Sequence, residues 1–294
     1  MTTKMSPAPA FTELLPPATA APEFFLRIEP KKGLFGLDLR DVWAFRELLY
    51  FLVWRDVSVR YKQTIIGLAW AILQPVLTML IFTTVFGHFA AIPSDGAPYS
   101  IFIFTALLPW NCFSQAISRS GVSLVNDSNL VKKVYFPRLI IPIAGVASPL
   151  VDFLFSSLVL VGMMAWFRMP LRSSMLTLPL FLLLGITASL AAGVWLAPLN
   201  AKYRDVGHAI PFLTQFLMFA SPVTYPLSII PQKWRLIYGL NPLVGVIEGF
   251  RWSLLGKASP DFGVIALSVV IAFGALMSGI VFFKRMERSF SDVL

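Results

Sequence analysis

The sequence predicts an all-α membrane protein with six transmembrane helices, an interfacial amphipathic helix near the N-terminus and short re-entrant extracytoplasmic helices before the last span. Of its 294 residues, 57% are hydrophobic and only 13% are charged, about half the charged share of an average soluble domain. The mean hydropathy is +0.75, and apolar runs long enough to cross a bilayer recur along the chain. These observations exclude an ordinary soluble domain.

The N-terminal residues predict two different structures in succession. Residues 1–40 are rich in proline and alanine, lack the apolar core of a secretory signal peptide, and predict a disordered cytoplasmic tail. Residues 42–62 predict a helix in the headgroup plane, with a loose basic anchor as the alternative. The apolar residues at helical spacing in this predicted interfacial helix are Phe45, Leu48, Leu49, Leu52 and Val53.

The membrane domain is predicted to extend over residues 41–294. Its six apolar segments lie at about 64–90, 99–118, 139–167, 175–199, 208–224 and 262–283. Six spans place both termini on one side, and 18 of the 24 lysines and arginines fall on that side. The positive-inside rule then predicts that both termini are cytoplasmic, and it accounts for the net charge of +9 without a nucleic-acid partner.

Residues 125–138, VNDSNLVKKVYFPR, form a predicted cytosolic coupling segment. Asp127, Ser128 or Asn129 can cap a short helix there, and Pro137 disfavours helix at the residue before it. The predicted apolar face of this helix contains Leu130, Val131, Val134 and Tyr135, opposite Lys132 and Lys133. An exposed apolar face in the cytosol indicates a docking surface, and contact with the membrane is the alternative.

Residues 228–256 are too apolar for an ordinary solvated loop and too interrupted to span a membrane. Pro231 and Pro242 stand where helices can begin, because proline is tolerated in a first turn. We expect two short gate helices that dip into the outer leaflet, where irregular backbone must be covered by protein or face water. A plain loop is the alternative.

Several kinds of chemistry are missing from the sequence. There is no GxxxxGK[ST] phosphate loop, and His88 and His208 are predicted at opposite faces of the membrane. Cys112 is the single cysteine and lies in an apolar run, as a small buried hydrophobic residue does. No catalytic residues and no metal ligands are therefore predicted, which argues against a membrane glycosyl- or acyltransferase.

Asp152 is the one clear acidic residue within a predicted span. Because a charge in the bilayer is costly, such a residue is a functional candidate, here for a proton-coupled carrier. Carriers of that kind usually show internal repeats, and none is evident. A structural role, in which Asp152 caps or hydrogen-bonds a neighbouring helix, is the alternative.

Five stretches carry a family resemblance in chain order. They are RDVSVRYKQT leading to WAILQP (55–75), LVKKVYFPRLIIP (130–142), ASPVTYP (220–226), NPLVGVIEGFR (241–251) and FKRMERSFSDVL (283–294). Together they resemble the membrane (permease) subunit of type-2 ABC exporters of the polysaccharide family, which export O-antigen, teichoic acid or capsule. The likeness covers roughly residues 45–294.

The resemblance implies a homodimer in the bacterial inner membrane with the translocation path at its interface. Each copy would dock on a separate cytosolic ABC ATPase that binds ATP and Mg, so that this chain binds no cofactor itself. The implied substrate is a glycan on undecaprenyl diphosphate, with O-antigen placed before teichoic acid and capsular polysaccharide. A drug or small-lipid exporter is a more distant alternative, since its permease shares the topology without the entry motif.

Four groups of residues are predicted to perform these roles. The ATPase-coupling residues are Asn129, Leu130, Val131, Lys132, Lys133, Val134 and Tyr135. The lipid-diphosphate entry residues are Arg55, Arg60, Tyr61, Lys62 and Gln63, with anchoring to anionic lipid as the alternative. The glycan conduit residues are Phe82, Phe86, Phe212, Gln215, Phe216 and Phe219, with simple packing or lipid contact as the alternative. The extracytoplasmic gate residues are Tyr225, Trp234, Tyr238, Glu248 and Arg251.

Overall fold

A computed structural model describes residues 39–62, 69–256 and 260–287. The predicted tail therefore lies almost wholly outside the described residues, as do Gln63 and the last seven positions. The described parts belong to one unit, Leu37–Leu294.

Every regular element within these ranges is helical. The α-helices are α1 Leu39–Ala44, α2 Arg46–Tyr61, α3 Ala69–Phe82, α4 Tyr99–Asn126, α5 Ser128–Lys133, α6 Ile140–Ala147, α7 Pro149–Trp166, α8 Leu178–Lys202, α9 Asp205–Phe219, α10 Gln232–Tyr238, α11 Pro242–Leu255 and α12 Phe262–Glu287. A π-helix, Thr83–Phe89, continues α3, and 3-10 turns at Ser173–Thr177 and Leu227–Ile229 precede α8 and α10. The predicted all-α membrane class is confirmed.

Five helical stretches of the described chain are long and apolar enough to cross a membrane. They are Ala69–Phe89, Tyr99–Asn126, Ile140–Trp166, Ser173–Lys202 and Phe262–Glu287. The predicted fifth span, 208–224, instead corresponds to α9, which has 15 residues and ends at Phe219. A helix of that length is shorter than the roughly 20 residues that a membrane crossing needs. The count of six spans therefore stays a prediction.

Helix α4 forms the centre of the bundle and contacts α3, α6, α7, α8, α9 and α11. Its residues from Ile101 to Leu108 are buried on every side, which explains why this segment is apolar without a polar stripe. At Ser120 two neighbouring helices come unusually close to α4. A Cβ on Gly145 of α6 would lie 2.8 Å from the Ser120 backbone, and a Cβ on Gly193 of α8 would collide with the Ser120 side chain. Glycine at both positions permits this three-helix contact.

Helix α2 packs against protein with the apolar residues that the sequence places at helical spacing. The predicted apolar set lies in a second hydrophobic cluster, where Leu52 is 2% exposed and Val131, Ile140 and Phe283 are its buried neighbours. The opposite face presents Tyr50 and Trp54 outward. Helix α6 and residues 130–141 supply the apolar surface that covers these residues. Since the helix is packed on protein, the loose-anchor alternative is wrong. The position of the helix in the headgroup plane stays a prediction.

Candidate functional site

The guanidinium of Arg55 joins α2 to the residue that begins the predicted coupling segment. Its two terminal nitrogens donate to the Asp127 carboxylate at 2.7 and 3.0 Å, and its Nε donates to Asp56 at 3.0 Å. The hydrogen bond to Asp127 and that to Asp56 raise the pKa of Arg55, against the opposing effect of burial. A forked arginine–carboxylate pair fixes geometry as well as charge. Arg55 is therefore occupied by protein carboxylates.

The end of α2 reaches Asp152 on α7. Both the Arg60 guanidinium and the Tyr61 hydroxyl donate to the Asp152 carboxylate, and Asp152 is only 7% exposed. Burial, followed by the contact with Asp152, raises the pKa of Tyr61 to about 12, so that the phenol remains a donor at neutral pH. Of the two alternatives stated for Asp152, this geometry favours hydrogen bonding to a neighbouring helix.

These contacts change the predicted diphosphate entry site. Arg55 and Arg60 were expected to face a lipid headgroup, but Arg55 is held by two aspartates and one arm of Arg60 is held by a third. Lys62 is exposed, and Gln63 lies outside the described residues. The Nε and second terminal nitrogen of Arg60 are buried and have no hydrogen-bond partner. A guanidinium with unsatisfied buried donors is unusual, since such groups lose solvation without compensation.

The coupling segment differs from its predicted shape. Helix α5 ends at Lys133, and Val134 adopts an extended backbone, so the predicted shared apolar face does not form. Val131 is buried and Leu130 packs in the cluster beneath α2, whereas Val134 and Tyr135 are 49% and 71% exposed. The prediction of a single apolar face is wrong because the helix is too short to carry four residues on one side. The exposed set consists of Asn129, Lys132, Lys133, Val134 and Tyr135.

The cap of α5 also differs from expectation. Asp127 occupies the N-cap position, but its side chain makes no capping hydrogen bond. The Asp127 backbone carbonyl instead accepts from the Leu130 and Val131 amides at 2.9 and 3.1 Å. The carboxylate is therefore available for Arg55. No local sequence pattern predicts that the Asp127 carboxylate binds Arg55 instead of capping α5.

The predicted conduit residues fall into two groups. Phe82 and Phe86 at the end of α3 are half-buried and stack edge to face with ring centroids 5.4 Å apart. On α9 the side chains of one face are exposed in the single chain, and they are Phe212, Gln215, Phe216 and Phe219. The structure thus leaves an aromatic strip along α9 uncovered. Aromatic faces suit sugar rings as well as lipid tails, so the exposed strip is compatible with a glycan conduit and with lipid contact.

The predicted gate residues converge on the loop that follows α9. The Arg251 guanidinium on α11 donates to the Val223 and Tyr225 carbonyls at 2.8 and 3.0 Å, and it stacks 3.7 Å from the Phe102 ring centroid. Glu248 lies 3.5 Å from Arg251. Burial lowers the pKa of Arg251 to about 10 and raises the pKa of Glu248, a rise that the arginine opposes. We call this arrangement the Arg251 clasp.

Two tyrosine contacts complete the same region. The hydroxyls of Tyr225 and Tyr238 are 2.7 Å apart, and Tyr99 of α4 donates to the Thr224 carbonyl at 2.6 Å. Burial, followed by the hydrogen bond to Tyr238, raises the pKa of Tyr225. Trp234 is 50% exposed and stands apart from these contacts. Helices α10 and α11 begin as predicted, after Pro231 and at Pro242.

Sequence reasoning missed three residues that these contacts require. Asp127, Tyr99 and Phe102 act through partners distant in the chain. Within the ranges that the structure describes, no three His, Cys, Asp or Glu side chains form a group able to hold a metal ion.

The fold and these surfaces define a multi-pass α-helical membrane protein whose sequence contains no phosphate loop for ATP. The chain belongs to the ABC-2 type transporter family, whose model matches residues 47–255. Membership in this family of transport permeases implies association with an ABC ATPase partner.

Similar proteins cover nearly the same part of the chain. The O-antigen export system permease protein RfbA of Myxococcus xanthus is 31% identical over 245 residues, which are 81% of this chain and 93% of that protein. The protein of the same name from Klebsiella pneumoniae is 24% identical, over 84% of this chain and 95% of that protein. The polysialic acid transport protein KpsM of Escherichia coli is 25% identical, over 80% of this chain and 92% of that protein.

Proposed function

We propose that this chain is the permease subunit of an ATP-driven exporter that moves an undecaprenyl-diphosphate-linked polysaccharide, O-antigen in the first instance, across the bacterial inner membrane. The observation that carries the proposal is the 31% identity, over 93% of its length, to a protein named as an O-antigen export permease. Teichoic acid and capsular polysaccharide remain alternatives within the same family, and the likeness to a polysialic acid transport protein supports a polysaccharide other than O-antigen.

In this proposal two copies form a homodimer, and each binds one cytosolic ABC ATPase that holds ATP and Mg. Both termini are cytoplasmic, so the coupling segment faces the ATPase. The exposed Val134 and Tyr135, flanked by Lys132 and Lys133, support this assignment because an apolar patch with a basic rim is typical of a docking surface. The lipid-linked glycan and membrane lipids are the remaining partners.

The translocation path is proposed to lie along the exposed aromatic strip of α9. That strip leads directly into the loop held by the Arg251 clasp, because α9 ends at Phe219 and the bound carbonyls are at Val223 and Tyr225. A flat aromatic surface gives sugars contact area without reading their sequence. The clasp then closes the extracytoplasmic end of the path.

A proton-coupled carrier is less well supported. A transport carboxylate must take up and release protons, whereas Asp152 receives both a guanidinium and a phenol. The ion pair therefore favours a structural role for Asp152 in holding α2 against α7.

Reconstitution of this chain with its partner ATPase in proteoliposomes tests the proposal. We expect lipid-linked O-antigen to stimulate ATP hydrolysis and to appear, in an ATP-dependent manner, on the side opposite the ATPase. Undecaprenyl diphosphate-linked teichoic acid and a capsular polysaccharide serve as comparison substrates. A flat hydrolysis rate across all three glycans would contradict the proposed function.

A further inference from the structure

Helix α12 is long and is not interrupted by proline. It has 26 residues, Phe262–Glu287, which at 1.5 Å per residue correspond to a length of about 39 Å. Its sequence contains no proline, whereas α3, α4, α8 and α9 each contain one inside the helix. Proline bends a helix because it removes a backbone hydrogen bond. Helix α12 therefore lacks the feature that interrupts these four neighbours.

Trp195 of α8 supports α12 at a place where the helix could bend. Serine and glycine together are another cause of kinks, and Ser278 and Gly279 are adjacent in α12. The Trp195 Nε1 donates to the Ala275 carbonyl at 3.1 Å, and its ring stacks on Phe282 with centroids 4.5 Å apart. A Cβ on Gly279 would lie 2.8 Å from the Trp195 ring, so glycine permits this close approach. These contacts hold α12 against α8 on both sides of the serine–glycine pair.

The first turns of α12 are packed into α10 and α11. Val264 is buried with Val244 of α11 in one hydrophobic cluster. The fully buried Ser268 hydroxyl donates to the carbonyl of Gly239, which follows the last residue of α10, at 3.3 Å. A Cβ on Gly245 of α11 would lie 2.6 Å from the Ser268 Cβ. Because closely packed interiors transmit strain, a displacement of α12 displaces α10 and α11 as well.

The last turns of α12 are joined to the residues that follow α5. The Arg138 guanidinium donates to the Glu287 carbonyl at 2.9 Å. Since this hydrogen bond is made to the backbone, it holds the helix itself and not one of its flexible side chains. Phe283 and Phe136 are 1% and 4% exposed and belong to the same hydrophobic cluster. Arg138 is the fifth residue after Lys133, where α5 ends, so the connection from α5 to α12 is short.

We propose that Arg138 is a positioning residue that joins the coupling segment to α12, and that α12 carries a movement of this segment to α10 and α11. Coupling between distant sites needs a contiguous path of packed and rigid parts. Buried contacts at both ends, with one continuous helix between them, form such a path. The inference rests on the proposed function for the ATPase that moves the coupling segment.

The test measures hydrogen exchange of the full chain with its ATPase in nanodiscs, by mass spectrometry, without nucleotide and trapped with ADP and vanadate. In the parent complex we expect trapping to change amide exchange in the coupling segment and in α10 and α11. Arg138→Gln should keep the change in the coupling segment. It should reduce the change in α10 and α11 about fivefold, the lower end of typical coupling between two sites. Arg138→Lys keeps a charged donor and should restore most of the response.

A second variant interrupts the other end of the same path. Ser268→Ala removes the hydroxyl that reaches Gly239 and keeps the Cβ that packs on α11, so the same loss in α10 and α11 is expected. Ser278→Ala is its matched control, because that hydroxyl is exposed and donates within α12. Arg204→Gln removes an exposed arginine outside the path and is the control for Arg138→Gln. Both controls should respond as the parent complex does.

Thermal unfolding of each variant separates transmission from folding. A purely structural role of Arg138 would lower the unfolding temperature and leave the response of α10 and α11 unchanged. An undiminished response of α10 and α11 in Arg138→Gln or in Ser268→Ala would overturn the inference, and so would a parent complex that responds in the coupling segment alone. If Arg138→Gln does not fold, the folded Ser268→Ala decides the question by the same criterion.

The exchange data also distinguish this inference from the proposed function. A parent complex without any response in the coupling segment would contradict docking of the ATPase there, and with it the inference. A response at both ends that depends on Arg138, in a complex that exports no glycan, would leave the α12 connection standing and remove the export assignment. Glycan export with a response in α10 and α11 that is indifferent to Arg138 would remove the connection alone.

Discussion

The Arg55 guanidinium on α2 donates hydrogen bonds to both carboxylate oxygens of Asp127, the residue that precedes α5, at 2.7 and 3.0 Å. This pair joins helix α2 to the coupling segment across 72 positions of sequence. A motion of α5 therefore acts on α2 directly. At its other end α2 is attached to α7 through Arg60 and Asp152. Helix α2 thus links the coupling segment to a transmembrane helix.

Breaking the Arg55–Asp127 pair should impair the coupling of ATP hydrolysis to export more than it lowers the stability of the fold. The pair is partly exposed, and such pairs contribute about 1 kcal/mol or less to stability. For Asp127→Asn we expect a small change in the thermal unfolding temperature and a several-fold fall in glycan exported per ATP hydrolysed. An unchanged export-to-hydrolysis ratio would contradict the role. Exchanging the charges, Arg55→Asp with Asp127→Arg, should restore part of the ratio.

Substitutions in the coupling segment should separate docking from folding. Val134→Asp and Tyr135→Asp place a charge on exposed positions, so we expect loss of ATPase binding and export from a permease that is still folded and inserted. Leu130→Asp also abolishes export, but it places a charge in the cluster beneath α2 and should reduce thermal stability as well. Co-purification of the ATPase and thermal unfolding in detergent measure the two effects. Normal export by Val134→Asp would remove the docking assignment.

The Arg251 clasp predicts a specific pattern in a double-mutant cycle. Arg251→Met removes the donors to the Val223 and Tyr225 carbonyls and leaves Glu248 without its cation. Removing one partner of a buried ion pair costs about 3–5 kcal/mol. We expect Arg251→Met with Glu248→Gln to be more stable than Arg251→Met alone.

The same variants test the gate. If the clasp closes the extracytoplasmic end of the path, Arg251→Met should leak a small fluorescent solute from proteoliposomes. Arg235→Met serves as a control, because within the described part of the chain the Arg235 guanidinium donates to the local carbonyls of Ser228 and Ile230. Equal leak rates for both variants would argue against the clasp as a closure.

The contact between α4, α6 and α8 predicts which glycines tolerate a methyl group. Gly145→Ala would bring a Cβ to 2.8 Å from the Ser120 backbone, so α6 must shift, and overpacking of this kind costs about 1–3 kcal/mol. Gly162→Ala and Gly274→Ala meet nothing within 4 Å and should be neutral or slightly stabilising, since alanine favours helix. Thermal unfolding of the three variants in one detergent provides the comparison. Similar unfolding temperatures for all three would contradict this packing.

The aromatic strip of α9 should matter for export and little for the stability of the single chain. Phe212 and Phe216 are 74% and 60% exposed, so replacing each by alanine removes little buried area. We expect slower export with near-normal ATPase docking. Leu158→Ala, an exposed apolar residue on α7, is the control for a general lipid effect. Export rates that fall equally in all variants would argue against a conduit on α9.

Much of the protein can be read from local pattern. Runs of apolar residues such as 262–283 demand a helix in lipid, because the backbone there must satisfy its own hydrogen bonds. Pro231 and Pro242 marked the starts of α10 and α11 because proline suits a first turn and little else in a helix. The motif series around Arg55 and Asn241 led to the family whose model matches residues 47–255.

The coupling segment shows where such reading stops. Periodicity placed Val131 and Val134 on one face, but periodicity applies only while the helix continues, and α5 ends at Lys133. The two valines consequently have opposite environments, one buried and one exposed. The apolar residues of α2 show a related limit. An apolar stripe reveals that a helix will be covered, without revealing whether lipid or protein covers it.

The all-α membrane class of the protein, its apolar helices and its family are thus determined by composition and short sequence patterns. These act on each segment separately. The partners of the charged residues are decided only when the helices pack. Asp152 is neutralised by Arg60, 92 positions away, and Arg251 closes a loop 26 to 28 positions before it. A charge can be neutralised by any opposite charge that the bundle brings near, so the chain alone leaves several pairings open. Tertiary contact selects one of them.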